Sequence, residues 1–403
     1  MPFRDAWLVV GALLVLVGFA AAEPVVSAVG FVVLLIGGLS RYWSRHLFDR
    51  VFFHRRLGER RAFVDEPVAL HLELENRKAL PLPWYEWRLA MADPLRVEGE
   101  SLASHAVPGL SWLVRRGAMG WYERRNWELR VRAAERGFHQ VGPASISSAD
   151  LLGVFPGQVH DDRMDHLLVF PRVFTMEELG LPPDRPFGER KGGRPIFEDP
   201  LRIAGLREYR PGDPLRRIDW KATARSNQLT SRVYEPSATH QLYLALNIDT
   251  MPHAWEGYLK DELERTVSTA ASVASWAAGQ RYSVGLIANG SYPDADRPIR
   301  LAPSRARDQL TRVLEALAVI QPLTMGDLAS AILRETARIP SGSTIVVVAS
   351  LIPEALGAVL GRLAAEGHQV FVLATSDRAL DGLPPGIPVH TVARAFERME
   401  VTV

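Results

Sequence analysis

Two apolar stretches with a short break between them dominate the first forty residues. Residues 6–22 and 25–39 carry no charged side chain, and Glu23 and Pro24 interrupt them. A bilayer is crossed by about 20 apolar helical residues, so each stretch is near the short end for a span. Aromatic side chains that favour the membrane interface flank both stretches: Phe3, Trp7, Tyr42 and Trp43. This pattern predicts a transmembrane helical hairpin over residues 1–40.

A basic juxtamembrane collar over residues 41–61 follows the apolar stretches. It contains seven arginines against Asp49 and Glu59, which gives a local net charge of +5. Because basic flanks stay on the cytoplasmic side, we expect a two-span plasma-membrane protein whose termini and soluble domains are all cytoplasmic. Two alternatives stay open. One is a signal peptide cleaved near Ala20–Ala22, and the other is a helical hairpin buried in a soluble protein.

Polar and apolar residues alternate over residues 62–155, which is typical of half-buried strands. The alternation is clearest at Val68, Leu70, Leu72 and Leu74 and again at Trp127, Leu129 and Val131. Prolines recur through the segment and disfavour long helices. We therefore expect a small antiparallel β-sandwich-like domain, in which the aromatic cluster at Trp84, Tyr85 and Trp87 packs on a strand face.

Short apolar stretches alternate with helical patterns over residues 237–403. The stretches at 242–248, 282–288 and 344–349 have the length and composition of buried strands. This alternation predicts a C-terminal α/β domain with a parallel, doubly wound sheet. Ligands bind such sheets at the carboxyl ends of the strands, which are here near Asp249, Thr324 and Ser350.

Residues 156–236 are predicted to form a connector that carries a dense polar motif. The motif residues that we single out are Arg207, Tyr209, Gly212, Asp213, Arg217, Asp219, Trp220 and Arg225. In one interpretation these residues form ion pairs and packing contacts that clamp the connector to a neighbouring domain. In the other they form a recognition surface, because arginine and tryptophan are frequent binding hot spots.

The same motif resembles the signature of the bacterial domain-of-unknown-function family fifty-eight. That pattern reads R-x-Y-x-x-G-D, then R-x-I-x-W, then A-R, which the chain matches at residues 207–213, 216–220 and 224–225. The resemblance implies a membrane-anchored chain with a C-terminal von Willebrand factor A-like domain. It further implies association with AAA+ ATPases of the MoxR class and accessory roles in the maturation of other proteins. No enzymatic activity is established for that family.

A von Willebrand A-like domain, as implied by this resemblance, often holds magnesium through an Asp-x-Ser-x-Ser loop, a threonine and a later aspartate. Asp249 and Thr324 match two of these positions, while Met251 and His253 replace the two serines and Ser350 stands at the late aspartate. Magnesium needs several oxygen ligands in octahedral order. We therefore expect a degenerate remnant without a bound metal, and no cofactor.

Composition narrows the function classes further. The 403 residues carry a net charge of +1 and contain no cysteine. Absence of cysteine excludes disulfides, thiolate metal sites and a cysteine nucleophile. The balanced charge argues against a nucleic-acid-coating protein. The charge is unevenly distributed, since residues 62–403 carry a net charge of −3.

Three functional hypotheses follow from these observations. The favoured one is a non-enzymatic, membrane-anchored interaction or scaffold protein that faces the cytoplasm and assists a MoxR-class ATPase. The alternative is a metal-dependent hydrolase that uses the carboxylates of Asp213, Asp219 or Asp249. A third is a structural scaffold in which the motif only clamps two domains together.

Overall fold

The computed structural model describes residues 6–184, 186–187, 198–210, 217–226, 228–236, 241–293 and 298–401. The chain divides into two compact units, Met1–Phe170 and Pro171–Val403. Each unit contains its own sheets and its own cluster of buried apolar side chains.

Two helices open the first unit, α1 over Ala6–Ala20 and α2 over Pro24–Arg45. Within the described residues, only α2 is long and apolar enough to cross a membrane, by length and composition. The 15 residues of α1 rise about 22 Å at 1.5 Å per residue, which is short of the roughly 30 Å of hydrocarbon. The predicted hairpin of two spans is therefore wrong, and a single candidate span replaces it.

Glycines allow α1 and α2 to pack closely. A Cβ atom on Gly18 would lie 2.4 Å from the backbone nitrogen of Ser27, and one on Gly30 would lie 2.6 Å from that of Val15. Small residues at helix contacts are typical of helices that associate in lipid. The outward faces of both helices expose large apolar side chains, such as Phe19 and Val25.

Eleven strands form two sheets over residues 51–170. One sheet has the order β1-β3-β8-β5, and the other has the order β2-β11-β9-β4-β7-β6 with β10 also paired to β9. The strands are β1 Val51–Leu57, β2 Arg61–Phe63, β3 Val68–Asn76, β4 Leu82–Ala92, β5 Leu95–Val97, β6 Ala103–Ser104, β7 Leu110–Met119, β8 Arg124–Ala133, β9 Gly137–Ala149, β10 Pro156–Asp161 and β11 Asp165–Phe170.

Both sheets contribute to one buried cluster, as in a β-sandwich. Leu70 and Leu72 from β3 lie in this cluster with Trp87 and Leu89 from β4. The sandwich is not wholly antiparallel, because β2 and β11 pair in parallel. Strand β1 occupies part of the segment predicted as a basic collar, because its alternate apolar side chains pack on this core. Strands β10 and β11 lie in the segment predicted as a connector.

The second unit contains a two-stranded sheet and a seven-stranded sheet among its described residues. Its strands are β12 Glu198–Glu208, β13 Thr230–Pro236, β14 Gln241–Leu246, β15 Ser283–Ser291, β16 Pro298–Ser304, β17 Gln321–Thr324, β18 Thr344–Ala349, β19 Gln369–Ala374 and β20 Val389–Thr391. Its helices are α3 Trp220–Ser226, α4 Lys260–Gly279, α5 Gln309–Val319, α6 Leu328–Thr336, α7 Glu354–Ala365 and α8 Ala393–Val401.

The larger sheet of the second unit is mixed, with the order β16-β15-β14-β18-β19-β20 and with β17 also paired to β15. Strands β14, β15, β18, β19 and β20 pair in parallel. Strands β16 and β17 pair antiparallel to β15. Only residues 292–297 join β15 to β16, and a parallel crossover needs about a dozen residues.

The predicted fold class therefore needs correction. The expected combination was a two-span hairpin, an antiparallel sandwich and a parallel, doubly wound von Willebrand A-like domain. The part of the chain that the structure describes instead has one candidate span, a first unit with a parallel strand pair in its larger sheet, and a second unit with a mixed sheet and a separate two-stranded sheet.

The packing of α1 on α2 is testable with a matched pair of glycine substitutions. Gly30→Ile should lower the free energy of unfolding by about 1–3 kcal/mol, because its side chain overlaps the α1 backbone. Gly38→Ile is the control, since a Cβ atom there meets nothing within 4 Å. Thermal unfolding of the detergent-solubilised chain, followed by circular dichroism, measures both. Equal melting temperatures for the two variants would contradict the close packing.

Candidate functional site

The predicted polar motif lies on the two-stranded sheet of β12 and β13 and on the short helix α3 between them. Arg207 is on β12, Arg217 and Asp219 precede α3, and Trp220 and Arg225 are in α3. The backbone N–H of Tyr209 donates to the carbonyl of Leu229, 2.8 Å away, which extends the strand pairing. Gly212 and Asp213 lie outside the described residues.

Asp219 holds α3 against the strands. Its Oδ1 accepts hydrogen bonds from the backbone N–H groups of Lys221 and Ala222 at 3.1 and 3.0 Å, as an N-cap residue does. Its Oδ2 accepts a hydrogen bond from Arg232 Nε on β13 at 2.9 Å. The hydrogen bond from Ala222 and the Arg232 guanidinium lower the pKa of the Asp219 carboxyl. Asp219 is therefore fully engaged in the local structure.

The arginines of the motif lie in different environments. Arg207 donates through Nη1 to the carbonyl of its neighbour Glu208 at 3.1 Å. Arg217 is half-buried and precedes Ile218, which forms an isolated bridge with Ser231. Arg225 is exposed in the last turn of α3, where a positive charge is favourable beside the helix C-terminus.

Three apolar side chains of this region are exposed, and we call Leu206, Trp220 and Leu229 the apolar patch. Trp220 is 67% exposed. It follows Asp219, whose backbone N–H donates to the carbonyl of Thr230, and Leu229 directly precedes Thr230. Leu206 pairs with Arg232 two residues further along β13. The patch therefore borders the segment that Asp219 fixes in place.

The second predicted site lies where β14 ends. Asp249 Oδ1 accepts a hydrogen bond from Thr324 Oγ1 at 2.8 Å, and its Oδ2 accepts one from Asn289 Nδ2 at 2.9 Å. Ser350 Oγ donates to the Asp249 carbonyl at 3.1 Å. The structure thus brings together Asp249, Thr324 and Ser350, which sequence reasoning placed at one edge of the sheet.

Asn289 is the centre of this cluster, and sequence reasoning missed it. Its Nδ2 donates to Asn247 Oδ1 at 2.8 Å as well as to Asp249, and its Oδ1 accepts from the backbone N–H of Ile248 at 2.9 Å. Asn289 and Asn247 are both buried. The available signal was a lone amide inside the apolar strand β15, because a buried polar side chain needs partners.

Burial dominates the electrostatics of Asp249. It raises the pKa of this carboxyl, and the negative charge of Asp327 raises it further, while the bonds from Thr324 and Asn289 act in the opposite direction. Both carboxylate oxygens already accept hydrogen bonds from protein donors. Within the described residues, no group of three or more His, Asp or Glu side chains is arranged to hold a metal ion. His253 instead stacks on Trp255, with ring centroids 4.2 Å apart.

Comparison with known sequences supports the resemblance drawn from the motif. Residues 205–392 match the model of the family described as "Protein of unknown function DUF58". The uncharacterized protein YeaD of Bacillus subtilis (strain 168) is 28% identical over 158 residues. That alignment covers 38% of this chain and 36% of YeaD, so the chain spans about a third of that relative's length.

Comparison with solved structures gives low similarity. The CARDB domain of a Pyrococcus furiosus protein, solved in complex with di-metal ions, is 10% identical with a TM-score of 0.20. The match covers 30% of this chain and 90% of that domain. A cohesin module from a Clostridium perfringens family 33 glycoside hydrolase is 8% identical with a TM-score of 0.21, over 30% of this chain and 96% of the module. At such TM-scores no property transfers to this chain.

The Asn289 amide can be tested with a substitution that conserves its shape. Asn289→Asp places a second carboxylate 2.9 Å from Asp249 Oδ2, so two buried negative charges repel each other. We expect a loss of about 3 kcal/mol or more at pH 7, measured by denaturant unfolding. At acidic pH one carboxyl binds a proton and the loss should become smaller. A loss independent of pH would contradict this electrostatic role.

The role of Asp219 predicts a pH-dependent contribution to stability. Its folded-state pKa is lowered, so its stabilising effect is present at neutral pH and lost as the pH falls through that pKa. Asp219→Ala should lower the melting temperature at pH 7, because the cap and the ion pair both disappear. Asp219→Asn keeps a capping oxygen and should lower it less. Identical melting curves for all three proteins at pH 7 would refute this role.

Proposed function

We propose that this chain is a membrane-anchored, cytoplasm-facing interaction protein, accessory to a MoxR-class AAA+ ATPase in the maturation or assembly of other proteins. The ATPase partnership is taken from the resemblance of the motif to its family. The sequence match over residues 205–392 supports that resemblance. The proposal separates two roles within the motif, one structural and one for binding.

The observation that carries the binding role is the exposure of Trp220 beside the fully engaged Asp219. Asp219 caps α3 and pairs with Arg232, so it fixes the position of the neighbouring side chain. Trp220 presents most of its surface to solvent, and Leu206 and Leu229 at the neighbouring strand pair are exposed as well. A large aromatic side chain on a fixed backbone is a typical hot spot of a protein interface. We therefore assign the apolar patch to the partner.

The anchor of the proposed protein is α2. This helix has 22 residues and is long and apolar enough to cross a membrane. Arg41 and Arg45 lie in its C-terminal turns, and further arginines follow in residues 50–61. By the positive-inside rule, this end of α2 and the chain that follows it face the cytoplasm.

The carboxylates invoked for a hydrolase are occupied where the structure describes them. Asp219 binds two backbone N–H groups and a guanidinium. Asp249 binds a hydroxyl and an amide. Among the residues that the structure describes, no group of three or more His, Asp or Glu side chains is arranged to hold a metal ion. These contacts support a non-enzymatic role.

Trp220→Ala tests the proposal in the purified full chain. Its affinity for the MoxR-class ATPase encoded in the same genome should fall at least about tenfold, as expected when a hot-spot side chain is truncated. Biolayer interferometry with the detergent-solubilised chain measures the change. Trp255→Ala is the control, because Trp255 is 81% exposed in the same unit but lies outside the patch.

The outcomes separate the competing hypotheses. Loss of binding for Trp220→Ala alone, with an unchanged melting temperature, supports the interface. A lowered melting temperature with unchanged affinity supports the hypothesis that the motif only clamps two domains together. If the wild-type chain does not bind the ATPase, the partnership itself is wrong.

A further inference from the structure

One end of the sandwich is fixed directly to the end of α2. Lys78 Nζ donates to the carbonyl of Leu47, two residues beyond α2, at 2.7 Å. The carbonyl of Lys78 accepts a hydrogen bond from the backbone N–H of Tyr122 at 3.1 Å. The β3–β4 and β7–β8 turns therefore lie immediately beside the point where the candidate span ends.

The β9–β10 loop, residues 150–155, lies at the same end. Strand pairing places Leu82 opposite Met119 and Glu86 opposite Ser147, so β4 begins where β7 and β9 end. Phe155, which directly precedes β10 at this end of the sandwich, is buried. Its ring lies 6.4 Å from that of Trp7 in α1 and 5.5 Å from the guanidinium of Arg41 in α2.

The β7–β8 and β9–β10 loops expose large apolar and aromatic side chains. We define the membrane-proximal loops as residues 120–123 and 150–155. Five of their side chains are between 56% and 70% exposed: Trp121, Tyr122, Leu151, Leu152 and Val154. Trp84, near the start of β4, is also exposed at this end.

The exposure in the β9–β10 loop is fixed by the local structure. Asp150 is fully buried, and its Oδ1 accepts the backbone N–H of Phe155 at 2.6 Å while its Oδ2 accepts that of Leu152 at 3.2 Å. This turn holds the Phe155 side chain in the interior. It leaves the side chains of Leu151, Leu152 and Val154 exposed to solvent. Exposure of such apolar side chains to water is energetically unfavourable.

Turns at the opposite end of the sandwich differ in chemistry. Strand β4 ends there at Ala92, which pairs with Leu110. The nearby turns carry acidic residues, Asp93, Glu98 and Glu100. Val107 is exposed in the β6–β7 loop of that end, and Phe138 is exposed at the start of β9, where its ring stacks on that of His166.

We propose that the membrane-proximal loops insert into the boundary between lipid headgroups and acyl chains of the bilayer that α2 crosses. The partner is a lipid surface because the loops continue directly from the candidate span, and no linker separates them from it. Tryptophan and tyrosine favour this depth of a bilayer, and leucine and valine favour its apolar side. The inference rests on the membrane anchoring by α2 that is proposed above.

Depth-dependent quenching in nanodiscs tests the insertion. The chain contains no cysteine, so Leu152→Cys and Trp121→Cys each carry a single environment-sensitive fluorophore on the full chain. Lipids with a nitroxide near the headgroup should remove about half or more of their fluorescence, because insertion reaches about 5–10 Å below the surface. Val107→Cys is the matched control and should be quenched little. Val29→Cys, in the N-terminal part of α2, reports the anchor itself.

Each outcome has a distinct meaning. Quenching at positions 29, 121 and 152 but not at 107 supports the inference. Quenching at 29 alone overturns it while the anchor stands, and assigns the loops to a protein partner or a second copy of the chain. Absence of quenching at 29 overturns the anchoring by α2 and, with it, the inference.

Discussion

The hydrogen bond from the Lys78 ammonium to the Leu47 carbonyl joins the helices of the first unit to its sandwich. Burial of this ammonium lowers the pKa of Lys78 to about 8. The hydrogen bond to Leu47 therefore forms despite a desolvation cost that an exposed lysine would not have. The carbonyl of Lys78 also accepts a hydrogen bond from the backbone N–H of Tyr122. The positions of the β7–β8 turn and of the end of α2 therefore depend on the same residue.

The two predicted sites share one physical principle. In each, an aspartate accepts hydrogen bonds from neighbouring donors: Asp219 from α3 and Arg232, and Asp249 from Thr324 and Asn289. A buried or partly buried carboxylate is stable when its oxygens are satisfied in this way. These hydrogen bonds give Asp219 and Asp249 a role in the local structure, and the exposed Trp220 becomes the more informative residue.

Local sequence patterns predicted several strands of this molecule. The features that were not predicted depend on pairing between residues far apart in the sequence. The alternation at Leu70 and Leu72 identified β3, because a strand's side-chain period is two. Clustering of Asp249 with Ser350 followed from the parallel strands β14 and β18, which end at one sheet edge. The pairing of Asp219 with Arg232, the antiparallel course of β16 and the central place of Asn289 all depend on residues brought together by the fold. The length of α1 was overestimated because apolar residues up to Ala22 were counted, whereas the helix ends at Ala20.

The absence of a linker between α2 and the sandwich has a mechanical consequence. A helix of 22 residues is about 33 Å long, slightly more than the hydrocarbon of an average bilayer. Such a helix adjusts to bilayers of different thickness by changing its tilt. Because Lys78 holds the sandwich at the end of α2, a change of tilt reorients the sandwich as well. In the proposed anchored state, the thickness of the membrane therefore sets the angle at which the first unit meets the cytoplasm.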